Sequence, residues 1–237
     1  MGDISGPVRV VSSAQARTHE ISELSNGFAN PAEVALRRAL TPRQRFLKRL
    51  LDLALTIPGI VVLSPLFVLV AVALYLDSGW PVIHRQVRVG GGGRIFAMYK
   101  FRTMVPERRR KQVPFKSPDR RSSHKTKQDP RITRGGHFLR RTSLDELPQL
   151  FNVLLGNMTL VGPRPELPSI VKSYEPWQWE RFGVPPGITG LWQIRGRSLR
   201  PLMCQDDIEY IKGYSLWLDV KILVQTVIPV ITGRGAF

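Results

Sequence analysis

The stretch from Ile57 to Leu76 reads IPGIVVLSPLFVLVAVALYL and decides which class of protein this chain can form. Only Ser64 and Tyr75 carry polar side-chain atoms within it, and none of its residues is charged. A helix rises about 1.5 Å per residue, so a helix of this length can reach across a hydrocarbon core roughly 30 Å thick. The stretch therefore predicts a helix that enters a membrane.

Two features of this segment argue against a simple crossing. The dipeptide Ser64-Pro65 lies near its midpoint, where proline removes a backbone donor and bends a helix. Both flanks are positively charged, and positive charge favours the cytoplasmic side of a membrane. We therefore predict a re-entrant membrane helix within residues 41–80, broken at Ser64-Pro65, in which the Ser64 hydroxyl or a neighbouring helix satisfies the freed backbone groups. A kinked spanning helix and a buried core helix are the alternatives.

The chain carries a large excess of positive charge. Its 237 residues include 35 Lys and Arg against 18 Asp and Glu, which gives a net charge of +17. Such an excess requires an anionic partner: nucleic acid, an acidic membrane surface or phosphate-bearing substrates. Part of it is concentrated in residues 107–131, where ten Lys or Arg stand against three acids. This basic run is interpreted as a loop that either contacts anionic lipid or is solvated and mobile.

The N-terminal segment and the cysteine content indicate the compartment. Residues 1–40 are polar and lack the apolar core of a signal peptide, so we expect a flexible tail and no secretion of the main body. Cys204 is the single cysteine of the chain, which excludes an intramolecular disulfide and fits a reducing cytoplasm.

Beyond the apolar segment, the pattern is that of an α+β body in which a small sheet precedes several helices. The expected elements, in chain order, are a hairpin over 83–89 and 94–104 turned at 90–93, a helical region over 137–155 with a break near Ser143, an amphipathic interfacial helix over 170–182, and two closing helices over 206–214 and 218–231. The interfacial position of 170–182 depends on Trp177 and Trp179, because indole rings favour the headgroup region of a membrane.

The segment Thr142-Ser143-Leu144-Asp145-Glu146-Leu147-Pro148 places two carboxylates side by side. If Ser143 caps a helix, Asp145 and Glu146 fall in its first turn, where the helix dipole favours their charged forms. A capping box from Ser143 to Glu146 explains the same residues without any chemistry. The surroundings favour a functional site, because arginine suits phosphate oxygens and several arginines lie nearby: Arg131, Arg134, Arg140, Arg141 and Arg164. An acid pair among cations is typical of a site for a metal-bound diphosphate.

Seven segments of the chain, in this order and spacing, resemble those of a known family. They are Lys48-Arg49-Leu50-Leu51-Asp52, Ser64-Pro65, Tyr99-Lys100-Phe101-Arg102-Thr103-Met104, Asp129-Pro130-Arg131-Ile132-Thr133, Ser143-Leu144-Asp145-Glu146-Leu147-Pro148-Gln149-Leu150, Gly162-Pro163-Arg164-Pro165 and Pro186-Gly187-Ile188-Thr189-Gly190. From about Arg45 to its C-terminus the chain is similar to the bacterial sugar transferases, the monotopic phosphoglycosyl transferases. Larger members carry spanning helices ahead of this unit, so the chain resembles the small form or the isolated catalytic module.

This resemblance implies a reaction and assigns residues to it. An aspartate that matches Asp145 attacks the β-phosphate of a UDP-sugar and expels UMP, and polyprenyl (undecaprenyl) phosphate then takes the phosphosugar from the enzyme, which starts a cell-surface glycan. Glu146 is implied as the catalytic partner, and Mg²⁺ as a cofactor that both acids hold. The implied substrate-binding residues of the active site are Lys100, Arg102, Arg131, Arg164, Arg197 and Asp219.

The resemblance also implies a location and partners. The membrane helix, with its break at Ser64-Pro65, would lie in the bacterial inner membrane, and residues 81–237 would form a catalytic domain on the cytoplasmic face. The expected partners are a UDP-sugar, polyprenyl phosphate and an anionic membrane surface, with homo-oligomerisation left open. The sequence does not name the sugar or the glycan.

Two other classes of function compete with transfer. A non-catalytic membrane scaffold of a glycan-assembly complex would keep the fold and release no UMP. A nucleic-acid binder would use the basic run, but the apolar segment would then have no purpose and no groove-reading motif is present, so we expect no nucleic-acid partner. Taken singly, Lys100 also suits the solvent face of a strand, Asp219 a helix cap, and Arg164 an exposed turn.

Overall fold

The computed structural model describes residues 40–105, 131–195 and 203–232. Within these ranges the chain combines helices and strands, with one long apolar helix and two small sheets. The expected tail (except Leu40), the basic run up to residue 130 and the predicted phosphate-binding residue Arg197 lie outside the described residues.

Helix α1 (Pro42–Ser78) contains the whole apolar segment. It begins with a capping box, in which the Thr41 side chain accepts from the Gln44 amide and the Gln44 side chain accepts from the Thr41 amide. The helix ends at Gly79, whose φ of 74° is unfavourable for residues with a side chain. Both ends of this long apolar helix are therefore set by local sequence.

The Ser64-Pro65 pair does not end this helix. Helical conformation continues for 37 residues through Pro65, so the predicted break is corrected to a continuous helix. The prediction that the Ser64 hydroxyl compensates for the proline is confirmed: Ser64 Oγ donates to Val61 O at 2.7 Å. Val61 O is the acceptor that the missing amide of Pro65 leaves without its helical partner, and this local bond lets the helix continue. The re-entrant path stays a prediction.

Most of the apolar surface of α1 faces outward. Val62 is 75% exposed and Leu76 is 78% exposed. Among the described residues, α1 is the one helix that is long and apolar enough to cross a membrane. Contiguous apolar surface of this extent is unfavourable in water, so the alternative of a buried core helix does not fit. The exterior suits a helix surrounded by lipid.

Buried polar contacts fasten the first half of α1 to the rest of the protein. Lys48 Nζ donates to Asp219 Oδ2 and to Val161 O, both at 2.7 Å, and both members of the ion pair are almost fully buried. Asp52 accepts from the Thr159 hydroxyl. Because a buried charge is tolerated only with partners of this kind, these contacts fix the position of α1 on the body.

The two sheets each contain two strands. Strands β1 (Ile83–Val89) and β2 (Ile95–Phe101) form the predicted antiparallel hairpin, turned at Gly91–Gly93. Strands β3 (Thr159–Val161) and β4 (Gly187–Thr189) pair in parallel. The parallel pair brings together two of the motif segments that are distant in sequence.

The remaining helices are short, apart from the last two. In chain order they are α2 (Arg134–Arg141), α3 (Gln149–Leu154), α4 (Pro168–Val171), α5 (Leu191–Ile194), α6 (Met203–Lys212) and α7 (Leu216–Thr232). The break predicted near Ser143 and the two closing helices are confirmed. The main core joins β2, α3, β3, α6 and α7 around Val153 and Ile222, which are fully buried.

The prediction of one amphipathic interfacial helix over 170–182 is wrong. The segment contains the end of α4 and then a separate 3₁₀ helix at Pro176–Gly183. Proline disfavours helical conformation at the residue before it, which separates the two elements. Trp179 packs against Phe182 with ring centroids 5.5 Å apart, and Trp177 is the exposed member of the two tryptophans.

Candidate active site

The acid pair lies on a sharp turn between α2 and α3. Ser143 adopts the left-handed conformation, with φ 57° and ψ 13°, and its side chain makes no capping bond, so the predicted N-cap and capping box are wrong. Asp145 and Glu146 follow in a 3₁₀ turn that covers Leu144–Glu146. A non-glycine residue in this conformation is uncommon, and such residues cluster at functional sites. The capping explanation of the acid pair is thereby removed.

This turn is seated on the apolar side of α1. Leu144 and Leu147 stand on either side of the acid pair and pack into a cluster with Val70 and Leu74 of α1. Burial of these leucines anchors the turn by the hydrophobic effect. The two carboxylates are therefore held directly beside the helix that the sequence assigns to the membrane.

Two cations hold the Glu146 carboxylate. Its Oε1 accepts from Lys100 Nζ at 2.8 Å and from Arg164 Nη2 at 2.9 Å, and all three side chains are largely withdrawn from solvent. The pKa of Arg164 is raised, chiefly by Glu146. Burial lowers the pKa of Lys100, and Glu146 opposes this effect. A carboxylate with two charged donors is fixed both in position and in its ionised form.

Asp145 is held in a different way. It is buried, with 9% of its surface exposed, yet within the described parts of the chain its carboxylate accepts no hydrogen bond and forms no ion pair. Burial raises the pKa of Asp145 to about 6, Lys100 lowers this pKa and Glu146 raises it. Because the pKa stays below 7, the side chain is largely ionised near neutral pH. An ionised carboxylate with uncommitted oxygens is what nucleophilic attack requires.

Further arginines add positive charge around the pair. Arg140 and Arg164 both lower the pKa of Asp145. Arg140 Nε donates to the Thr103 hydroxyl at 2.9 Å, which orients its guanidinium group. Burial, with the charge of Arg164 nearby, lowers the pKa of Arg88 to about 10. A partly enclosed site with this excess of positive charge favours an anionic ligand such as a diphosphate.

Close backbone packing explains the glycines that flank Arg164 in space. Gly162 N donates to Thr189 O and Gly187 N donates to Pro163 O, both at 2.8 Å. A Cβ atom on Gly187 would stand 2.1 Å from Gly162 N, so only glycine fits there. The Gly-Pro-Arg-Pro segment is thus held against β4, and this contact sets the backbone position from which the Arg164 side chain extends.

The structure brings together four of the predicted site residues: Asp145, Glu146, Lys100 and Arg164. Lys100 is therefore engaged with the acid pair and does not lie on a solvent face of β2. Arg164 is likewise engaged and is not part of a freely exposed turn. Strand β2, the acid turn and the segment after β3 each supply one part of this cluster.

The other predicted residues have different surroundings. Arg102 is buried and donates to Ser78 O at 2.9 Å, which satisfies a carbonyl at the end of α1. Asp219 belongs to the buried ion pair with Lys48 that fastens α1, so the structure does not place it at the acid pair. Arg131 lies just ahead of α2, and its carbonyl accepts a hydrogen bond from the backbone amide of Val105, which follows β2 in the chain.

The sequence did not single out Arg181, which also belongs to this region. Arg181 is fully buried and donates to Arg164 O at 2.7 Å. Its neighbours in sequence are Glu180 and Phe182, and no motif marks it. Only the packing of the 3₁₀ helix Pro176–Gly183 against the Arg164 segment shows the contact.

The donor set determines what kind of metal ion the pair can hold. Within the described ranges, no group of three or more His, Cys, Asp or Glu side chains is close enough to form a metal site from protein alone. Mg²⁺ is commonly bound by one or two carboxylates together with substrate phosphates. Asp145 and Glu146 fit such a site, which the substrate would complete.

The fold and the site define an α+β protein with one long, outward-facing apolar helix and an acid pair among cations. The family model for bacterial sugar transferase matches residues 43–233, and the chain belongs to this family. The match includes α1, the acid pair and both closing helices.

Three curated relatives are similar over most of the chain. They are the galactosyl transferase CpsE of Streptococcus agalactiae serotype III (strain NEM316), 40% identical over 80% of this chain and 43% of the relative; the UDP-galactose-lipid carrier transferase of Erwinia amylovora, 41% identical over 81% and 42%; and the undecaprenyl-phosphate glucose phosphotransferase of Komagataeibacter xylinus, 40% identical over 86% and 39%. The chain therefore spans about two fifths of the length of these relatives.

Proposed function

We propose that this chain is an enzyme that transfers a sugar phosphate from a UDP-sugar to undecaprenyl phosphate, with Asp145 as the nucleophile. One observation carries the residue assignment: Glu146 is bound by two cations, whereas Asp145 is buried beside it without such a contact within the described residues. The substrate class is supported by the names of the relatives, which mention UDP-galactose, a lipid carrier and undecaprenyl phosphate.

The proposed reaction has two displacements at one phosphorus atom. A carboxylate oxygen of Asp145 attacks the β-phosphorus of the UDP-sugar, the bond from that phosphorus to the bridging oxygen breaks, and UMP leaves with the bond electrons. A phosphate oxygen of undecaprenyl phosphate then attacks the aspartyl phosphosugar, and the Asp145 carboxylate is released. The product is an undecaprenyl diphosphate sugar, and the carboxylate is regenerated without any redox step.

The cations of the site support this chemistry. Lys100 and Arg164 would stabilise the additional negative charge as the phosphorus is attacked, and they keep Glu146 ionised at the same time. The pKa of Asp145, about 6, leaves the nucleophile ionised at neutral pH while its basicity stays above that of an exposed aspartate. A Mg²⁺ ion held by Asp145, Glu146 and the diphosphate would lower the repulsion between carboxylate and phosphates.

The lipid acceptor is supported by the place of the acid turn. Leu144 and Leu147 pack on the exposed apolar helix α1, so the carboxylates lie where a phosphate on a lipid tail can reach them from the membrane. We assign α1 to the bacterial inner membrane and the remaining elements to its cytoplasmic face. The re-entrant path of α1 and the use of an anionic lipid surface belong to the same proposal.

The test measures UMP release from a panel of UDP-sugars, with detergent-solubilised protein, Mg²⁺ and undecaprenyl phosphate. Native protein should turn over at least one donor, and Asp145→Asn should abolish this turnover. Glu175→Gln, a change in an exposed acid that keeps its acceptor for Trp177 Nε1, serves as the matched control. Intact-mass measurement after donor alone should show one added phosphosugar on the native chain and none on Asp145→Asn.

Two outcomes would contradict the proposal. Full turnover by Asp145→Asn would remove the nucleophile assignment. No UMP release with any donor, from protein that is folded and membrane-bound, would favour a non-catalytic scaffold of a glycan-assembly complex.

A further inference from the structure

The segment 163–166, which carries Arg164, is held through its backbone carbonyls. Four consecutive carbonyl groups each accept a hydrogen bond, from β4, from Arg181 or from one of two neighbouring residues of β1. The donors are Gly187 N to Pro163 O at 2.8 Å, Arg181 Nη2 to Arg164 O at 2.7 Å, Arg88 Nη1 to Pro165 O at 3.3 Å, and Val89 N to Glu166 O at 2.9 Å. Two of these donors are arginine side chains, of which Arg181 is fully buried and Arg88 is partly buried. The segment therefore depends on tertiary contacts for its position, although it has no regular secondary structure.

Arg181 is the more deeply buried of the two arginines. It is fully inaccessible to solvent and donates to Asp207 Oδ2 at 2.5 Å and to the Tyr174 hydroxyl. Its guanidinium carbon lies 5.8 Å from the ring centroids of Tyr174 and Phe182. Asp207 is 1% exposed. Burying a charged pair is costly, and hydrophobic residues of similar size often replace such pairs without loss of stability. Stability alone therefore does not explain why a charged arginine occupies this buried position.

The contacts of Arg181 offer that explanation. One guanidinium nitrogen, Nη2, bonds both Asp207 and the carbonyl of Arg164, and the side chain of Arg164 reaches Glu146 at the other end. Glu166 Oε2 lies 3.8 Å from Arg181 Nη1, and Glu166 Oε1 lies 3.7 Å from Arg88 Nη1. One carboxylate therefore lies between the two arginines that hold the segment. A planar fork with donors in fixed directions can hold a carbonyl and a carboxylate together.

We propose that Arg181 is a positioning residue, which sets the Arg164 guanidinium on Glu146 by holding the Arg164 carbonyl. It acts through Arg164 and does not touch the substrate. This inference rests on the proposed transfer reaction for its kinetic consequence, whereas its geometric consequence is independent of any substrate.

A double-mutant cycle tests the kinetic consequence. Arg181→Lys keeps the charge for Asp207 but replaces the fork with a single ammonium group, and misplacement of Arg164 should lower kcat/KM for the donor by about tenfold to a hundredfold. In an Arg164→Ala background the same change should cost less than about twofold, because the residue through which Arg181 acts is gone. Equal losses in both backgrounds would indicate a general structural role and overturn the proposal.

Tyr174→Phe is the matched control. It removes one acceptor of Arg181 and leaves the bond to the Arg164 carbonyl, so kcat/KM should stay within about twofold of native. If Arg181→Lys does not fold, Asp207→Asn replaces it, since this isosteric change weakens the hold on Arg181 while keeping an acceptor. Asp207→Asn should then give a smaller loss that also disappears with Arg164→Ala.

Experimental structures of the native chain and the variant separate this proposal from the proposed function. The distance from Arg164 Nη2 to Glu146 Oε1 is 2.9 Å in the native chain and should lengthen beyond hydrogen-bonding range in Arg181→Lys. An unchanged distance overturns the positioning role, whether or not any UDP-sugar is turned over. If the distance lengthens in Arg181→Lys while the native chain has no transferase activity, the positioning role is supported and only the transfer reaction is refuted.

Discussion

Replacing Lys100 with methionine removes one of the two cations on Glu146 and a positive charge near Asp145. The Lys100–Glu146 contact is 2.8 Å long, and the two side chains are 16% and 11% exposed. A charge-assisted bond of this kind contributes about 1.5–3 kcal/mol. If that stabilisation is present in the transition state, its loss corresponds to a decrease of about tenfold to a hundredfold in kcat/KM.

The same change alters the pH dependence in a defined direction. The pKa of Asp145 is about 6, and Lys100 is among the groups that lower it, so its removal raises this pKa further. The ionised form is the nucleophile, so activity falls as pH decreases through the pKa of Asp145. The acidic limb of the kcat/KM profile should therefore lie near pH 6 in the native chain and at higher pH in Lys100→Met.

The assay is the initial rate of UMP release between about pH 5 and 9, since kcat/KM reports the ionisation of the free enzyme. Lys100→Arg is the control, because it keeps the charge and should leave the acidic limb near its native position. Burial raises the pKa of Asp207 to about 6 as well, but the charged groups that act on this pKa are Arg181, Asp206 and Glu166, so the titration of Asp207 should not respond to Lys100.

The reasoning is refuted if Lys100→Met keeps kcat/KM within about twofold of native and its acidic limb does not move. A large loss of activity with an unmoved limb would separate the two effects. This result would support the contribution of the Lys100–Glu146 contact to activity. It would contradict the assignment of the acidic limb to the ionisation of Asp145.

Three further predictions concern stability, measured as the thermal midpoint and free energy of unfolding in detergent. Gly187→Ala should destabilise the chain by about 3 kcal/mol or more, since its Cβ would lie 2.1 Å from Gly162 N; an equally stable variant would mean that the two backbones separate easily. Lys48→Met should cost about 3–5 kcal/mol because it leaves the buried Asp219 carboxylate without its cation, and Lys48→Met with Asp219→Leu should recover part of this loss. Ser64→Ala should cost about 1 kcal/mol through the freed carbonyl of α1, and no change at all would show that water or lipid headgroups reach it.

The sequence predicts more of the elements than of their contacts. The apolar helix, the hairpin and the closing helices follow from composition and periodicity, which are local properties. The prediction of an interfacial helix over 170–182 is wrong because the amphipathic pattern is interrupted at Pro176, and tertiary packing turns Trp179 inward. Ser143 suits an N-cap by residue type, but the left-handed backbone at this position changes the turn.

By itself, the sequence determined the long apolar helix, the α+β class, the adjacent acids and the membership of the bacterial sugar transferase family, because each depends on residue types at short or fixed spacing. Only the tertiary structure decided which groups meet. Lys100 and Arg164 reach Glu146 across 46 and 18 residues of chain, and Asp219 pairs with Lys48 across 171. The difference between a clamped Glu146 and an uncommitted Asp145 within the described residues follows from those long-range contacts and from burial, which no local pattern of residues specifies.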